Sequence, residues 1–322
     1  MDQRKLIKLG NSSYAIALPK DWVDKSGLGK GDNVFITPNS NGELIVQSNY
    51  KKTNQVKELI LNLEGKKERE INREIIASYI NGGTLLNINL NKKDLGFVKD
   101  VLKDLFGVEI IESKPTSIIA KEMIDMNSIS IGSITRRIDN SVRNIFELLE
   151  PCIKKGSATN KEYNEIFIAD KDVNRLFFLL WRIMIIGVDN PSVLNTLNAD
   201  STSLVYSWLT GMNIEKIGDD LKKITEILSE NKLKKDEIEF VEKLFNKAKE
   251  NFINSLNSYH LRDKNLAFDV TKNKGEFQDL CSNVKSRDAI KEICHLFSKI
   301  HSNIHYISKY VLYFIKENYR KD

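Results

Sequence analysis

Two carboxylates four residues apart are the first sign of chemistry in this chain. Glu215 and Asp219 lie in "GMNIEKIGDDLKKITEIL", residues 211–228, where Met212, Ile214, Ile217, Leu221, Ile224, Ile227 and Leu228 recur at helical spacing. The i, i+4 interval puts both acids on one helix face, where like charges are mildly destabilising. Either that face is solvated, with Lys216, Lys222 and Lys223 close by, or it binds something positive. Asp220 points away from it.

His301 and His305 form a second pair at the same interval, a spacing that suits zinc, iron or nickel. Ser302 stands where an HExxH motif needs glutamate, so no zincin is indicated. His295 is off that face, and ordinary helix histidines are the simpler reading. Cys152, Cys281 and Cys294 are odd in number, scattered and without a CxxC pair. They read as reduced thiols in a cytosol, and Cys281 and Cys294 as buried and inert. No Ser-His-Asp order carries a nucleophile elbow, and all four histidines fall after residue 259. The chain is therefore expected to work by binding, not as an enzyme.

These residues need elements to position them. Residues 1–50 read as strands and turns around one short helix in "LPKDWVDKSGL", with Pro19 at its start and Gly27 at its end. So short a module, with few apolar side chains, needs a partner to build a core. Residues 54–118 read as a βαβαβ unit: strands in "VKELILNL", "TLLNINL" and "GVEIIES", helices in "EREINREIIASYI" and "KDLGFVKDVLKDLF". It has no Gly-rich phosphate loop. From about Glu122 the pattern is helical, with breaks at "EPCIKKGSATN", "GVDNPS", "SENKLKK" and near "NVKSRD". Six long helices in two repeats, 125–230 and 234–319, predict two three-helix bundles.

The 322 residues are 41% hydrophobic and 29% charged, the composition of a globular protein of two or three domains. A net charge of +5 permits a polyanionic partner without requiring one. Charge interrupts the longest apolar run, "FFLLWRIMIIGV", so no membrane insertion is expected. The N-terminus lacks a signal-peptide core, and a cytoplasmic location is expected.

The order "LG…IALPKDW", "SGLGKGDNVFI", "NGELIV" resembles the AbrB/MazE/SpoVT swapped-hairpin family. That resemblance implies an intertwined homodimer that contacts DNA, with Lys5, Lys8 and Lys20 as the phosphate contacts. The helix "NIEKIGDDLKKITE" is similar to the "ERIGDHAxNIAE" helix of PhoU phosphate-uptake regulators, and "IADKDVNRL" to that family's acidic second-helix motif. This second resemblance, over 122–322, implies a surface metal cluster for a divalent or trivalent ion, held by Asp170, Glu215 and Asp219. In the second repeat Ser298 and Ser302 replace the acids and Lys274 stands opposite Asp170, so ligands are carried over to the first repeat only.

The whole order resembles archaeal PhoU-type regulators that begin with an AbrB-like domain. The expected fold is multidomain and mainly α: a swapped-hairpin β domain, the βαβαβ unit, then two PhoU-type bundles. The expected function is phosphate-responsive regulation through DNA. The alternative is an adaptor for a phosphate transporter or a signalling kinase, with the N-terminal domain serving dimerisation only.

Overall fold

The structure, a computed structural model, describes residues 3–38, 42–48, 56–197, 199–272, 281 and 287–314. The expected break near "NVKSRD" lies mostly outside them, and Lys274 entirely so. The chain divides into two compact units, Met1–Gln55 and Val56–Asp322.

In the first unit, β1 (Ile7–Leu9) and β2 (Ser13–Ala15) form an antiparallel hairpin. Gly10, at φ +67°, supplies the left-handed conformation that its three-residue loop requires. Helix α1 (Lys20–Lys25) follows Pro19, whose fixed φ suits a helix start. A second hairpin pairs β3 (Phe35–Pro38) with β4 (Leu44–Gln47). No described residue of this unit is buried. Leu6, Ile7, Leu9, Ile36 and Leu44 are each more than half exposed. Two hairpins and a two-turn helix, taken alone, enclose no core.

The second unit begins with a sheet. Strands β5 (Glu58–Asn62) and β6 (Leu85–Asn89) are parallel, bridged by α2 (Glu68–Ile80). Helix α3 (Leu95–Lys103) leads to β7 (Val108–Lys114). The expected βαβαβ unit is corrected here by a fourth strand, β8 (Ser117–Glu122), which inserts antiparallel between β6 and β7 in the order β5-β6-β8-β7. Pro115 and Thr116 form the two-residue turn that Lys114 and Ser117 close. Pro115 marks a turn in the sequence, without the Asn-Gly or Asp-Gly that would mark a hairpin. One sheet face is apolar, with Leu86, Ile88, Ile118 and Ala120 buried, in one core with Ile71, Ile75 and Tyr79 of α2 and Val98 and Leu102 of α3.

Helices α4 (Ile131–Lys155), α5 (Asn160–Asp189) and α7 (Ser201–Glu230) pack mutually, and the short α6 (Pro191–Thr196) joins the last two. Their starts are marked by side chains that satisfy free amides: Ser130, Thr159 and Asp200. Gly156, at φ +69°, ends α4 in the left-handed conformation. Helices α8 (Lys235–Leu261), α9 (Lys264–Lys272) and α10 (Asp288–Phe314) form a second group.

The two groups do not stand apart. Helix α7 packs on α10 and α4 on α8, and one apolar core runs from Ile131 to Val311. Phe146 of α4 meets Phe245 and Phe252 of α8 at ring separations of 5.8 and 5.2 Å. Helix α5 also packs on α2, so sheet and helices form one body. No helix among the described residues is long and apolar enough to cross a membrane.

Candidate functional site

Helix α7 buries Ile214, Ile217, Leu221 and Ile224 against its neighbours. That stripe fixes where its charges emerge. Asp219 and Lys222, three residues apart, come out together, and Lys222 Nζ lies 2.8 Å from Asp219 Oδ1. Across the α5–α7 contact the same ammonium is hydrogen-bonded to Oδ2 of Asp170, which is 2% exposed. Asn174 Nδ2 donates to that oxygen as well, at 3.2 Å. Asp170 Oδ1 is buried with no hydrogen-bond partner. Burial pushes the Asp170 carboxyl up, although Lys222 pulls it down.

Glu215 sits one turn before Asp219 on α7. Burial, then the negative charges of Asp219 and Asp170, raise its carboxyl to about 7. The three carboxylates expected at a metal cluster thus gather at one place on the α5–α7 seam. The cation among them is the protein's own ammonium. Among the described residues no three His, Cys, Asp or Glu side chains stand in a metal-holding arrangement. As they stand, the donors do not fit a metal ion, which would have to displace Lys222.

Removing Lys222 provides the test. Lys222→Met is expected to gain a melting-temperature rise with millimolar Mg²⁺ or Mn²⁺, because hard cations favour such oxygen ligands. The native chain is expected to show none. A rise in the native chain would mean that a metal displaces Lys222.

Asp219 also lines a cleft of about 260 Å3 between α2, α3 and α5, together with Asn72, Asp104, Lys171 and Asn174. Lys171 closes on Asp104 at 2.9 Å across that cleft. Asp220 faces the other way, as the helical period requires, and is 2% exposed. Its Oδ1 lies 2.6 Å from Lys299 Nζ of α10 and 3.8 Å from Lys223 Nζ.

His301 and His305 are buried on the core side of α10, and His295 is exposed on its outer face. Cys152 and Cys294 are buried. Cys281 is half-buried rather than buried, and a hydrogen bond with Cys294 pulls its thiol down from the ordinary range. Its partner was not legible from a thirteen-residue separation.

In the N-terminal unit Lys5, Lys8 and Lys20 are all exposed. Lys8 pairs across the hairpin with Tyr14, so the two share a face, while Ile7 and Leu9 project from the other. Lys20 is the first residue of α1. Three further cations, Arg4, Lys25 and Lys30, are exposed on the same unit and went unremarked in the sequence. Residues 1–38 carry six basic and four acidic side chains.

Residues 7–55 match the profile of the family described as antidote-toxin recognition MazE, bacterial antitoxin. The N-terminal unit is thus similar to a MazE-type antitoxin domain. No curated protein and no solved structure matches the chain.

Proposed function

We propose that the protein is a homodimeric, DNA-binding regulator whose helical body reads phosphate status. The observation that carries this reading is a MazE-like segment with no buried side chain and with its leucines and isoleucines exposed. Apolar surface of that kind is stabilised by burial against a second copy, at roughly 25 cal/mol per Å2. Pairing doubles the basic set, so that Lys5, Lys8 and Lys20 of both subunits face the DNA backbone. The helical body, similar along α7 to PhoU regulators, supplies the sensing part. The effect on DNA is one of population: an effector favours the arrangement of the dimer to which it binds more tightly.

Binding to fragments of the source genome, read by sequencing the retained DNA at several salt concentrations, tests this. Six phosphate contacts give a slope of log affinity against log salt of about −5, and Lys8→Ala removes about 2 of it, one contact from each subunit. A few promoters should be enriched. Absence of enrichment at every salt concentration would overturn the DNA reading. Asp21 and Asp24 are exposed on α1 beside Lys20 and would repel phosphate. They favour the second reading, an adaptor that only dimerises through this unit and contacts a phosphate transporter or a signalling kinase. Recovery of such membrane components with the protein, without promoter enrichment, would identify it.

A further inference from the structure

Helices α7 and α10 lie side by side over most of their length, and their outer edges form a groove of about 530 Å3. Each edge is a helical stripe. On α7 it carries Lys216, Asp219, Asp220 and Lys223; on α10 it carries His295, Ser298, Lys299, Ser302 and Asn303. Both stripes follow the i, i+3, i+4, i+7 interval, so all these side chains address one channel.

The charges in the groove are not free to cancel at random. Asp220 is buried and already held by Lys299 and Lys223. Asp219 is held by Lys222 from the side. Lys216 makes no ion pair among the described residues and acts on Glu215 only through space. An ammonium has three donor hydrogens, so Lys223 and Lys299 keep donors beyond their bond to Asp220. Ser302 and Asn303 add a hydroxyl and an amide at half-buried positions, and His295 adds a ring at the mouth. Three lysines around two carboxylates leave an excess of positive charge and of donors in the groove. Such a set recognises an oxyanion by charge-assisted hydrogen bonds.

The two carboxylates then decide which oxyanion. A carboxylate only accepts hydrogen bonds, so it repels a fully ionised anion and welcomes one that carries a proton. Hydrogen phosphate carries that proton at neutral pH, and sulfate does not. We propose that the α7–α10 groove is a binding site for a phosphoryl anion, selecting hydrogen phosphate over sulfate. Lys216, Lys299 and Ser302 hold the anion, and Asp219 is positioned to accept its proton. The site deepens the phosphate-sensing reading by giving it a place and a chemistry. It does not depend on DNA contact, because the groove lies wholly within the second unit.

Titration calorimetry of the full-length protein, without DNA, tests the site with inorganic phosphate and, separately, with sulfate at matched ionic strength. Lys216→Ala and Ser302→Ala are the variants, since neither side chain is part of the core and both should fold with native helix content. The expected result is saturable phosphate binding, at least about ten-fold stronger than sulfate, and weakened about ten-fold in each variant. A simple monoester such as glycerol phosphate, mostly a dianion without that proton at neutral pH, is expected to bind as weakly as sulfate, and binding equal to that of phosphate would overturn the role of Asp219. Equal binding of sulfate, no saturable phosphate binding, or unchanged affinity in both variants would overturn the proposal. Failure of the DNA experiment leaves these outcomes untouched, and the converse holds as well.

Discussion

Replacing Arg182 by alanine is expected to lower the stability of the second unit by about 3–5 kcal/mol. Arg182 is 1% exposed. It leaves α5, crosses to the sheet layer and binds the turn between α2 and β6, donating to the carbonyls of Tyr79 and, at 3.0 Å, Gly83. Its second amino group meets Glu122 Oε2 at the end of β8, 2.9 Å away. The guanidinium also lies over the Tyr79 ring, 4.9 Å from its centre.

Gly83 has no space for a side chain, since a Cβ there would come within 2.8 Å of Leu59 and of the Ser78 carbonyl. The turn is therefore tight. Alanine would leave the largely buried Glu122 without its cation and take the guanidinium donor from the Gly83 carbonyl, while the Tyr79 carbonyl keeps the Gly82 amide at 3.0 Å. Denaturant unfolding followed by tryptophan fluorescence measures the loss, because Trp181 adjoins Arg182 and Trp208 packs 5.9 Å from Trp181. A loss below about 1 kcal/mol would mean that water or another donor replaces the guanidinium.

Glu215→Gln is expected to stabilise the protein at pH 8 by about 1–3 kcal/mol and to change little at pH 4.5. The sign follows from the raised carboxyl. Glu215 titrates at about 7 in the folded chain against 4.5 unfolded, so the folded chain holds the proton more tightly. As pH rises between those values the unfolded chain ionises first, and stability falls. Above about 7 the full cost of a buried carboxylate facing Asp219 and Asp170 is present; below 4.5 it is absent. Glutamine keeps the shape without the charge. Thermal unfolding of both proteins from pH 4.5 to 8.5 gives the difference curve. Equal stability at pH 8 would mean that a cation already neutralises Glu215.

Parts of this fold were written locally. Ser130, Thr159 and Asp200 each sit just before an apolar stripe, and they mark helix starts because a side-chain oxygen there satisfies a free amide within three residues. The exposed leucines and isoleucines of the first unit were legible as a missing core, because burial follows from how many apolar residues a short segment holds. The strand Ser117–Glu122 was missed. Its six residues carry one short apolar run, and the Pro115–Thr116 turn before them lacks the Asn-Gly or Asp-Gly that would mark a hairpin.

By itself, the sequence determined the helices, the shared face of Glu215 and Asp219, and the proximity of Lys222 three residues beyond. All of these are set by a 3.6-residue period that acts within ten residues. The tertiary structure alone decided what that face does. It put Asp170 on the far side of Lys222, so the ammonium became the shared cation. It carried Arg182 from an apolar run, where it was legible only as a barrier to membrane insertion, to a turn a hundred residues earlier. It laid α10 along α7, so that Ser302 and Lys299 met Lys216 in one groove. Such meetings depend on how the chain reverses and which apolar stripes bury together, and no local period encodes them.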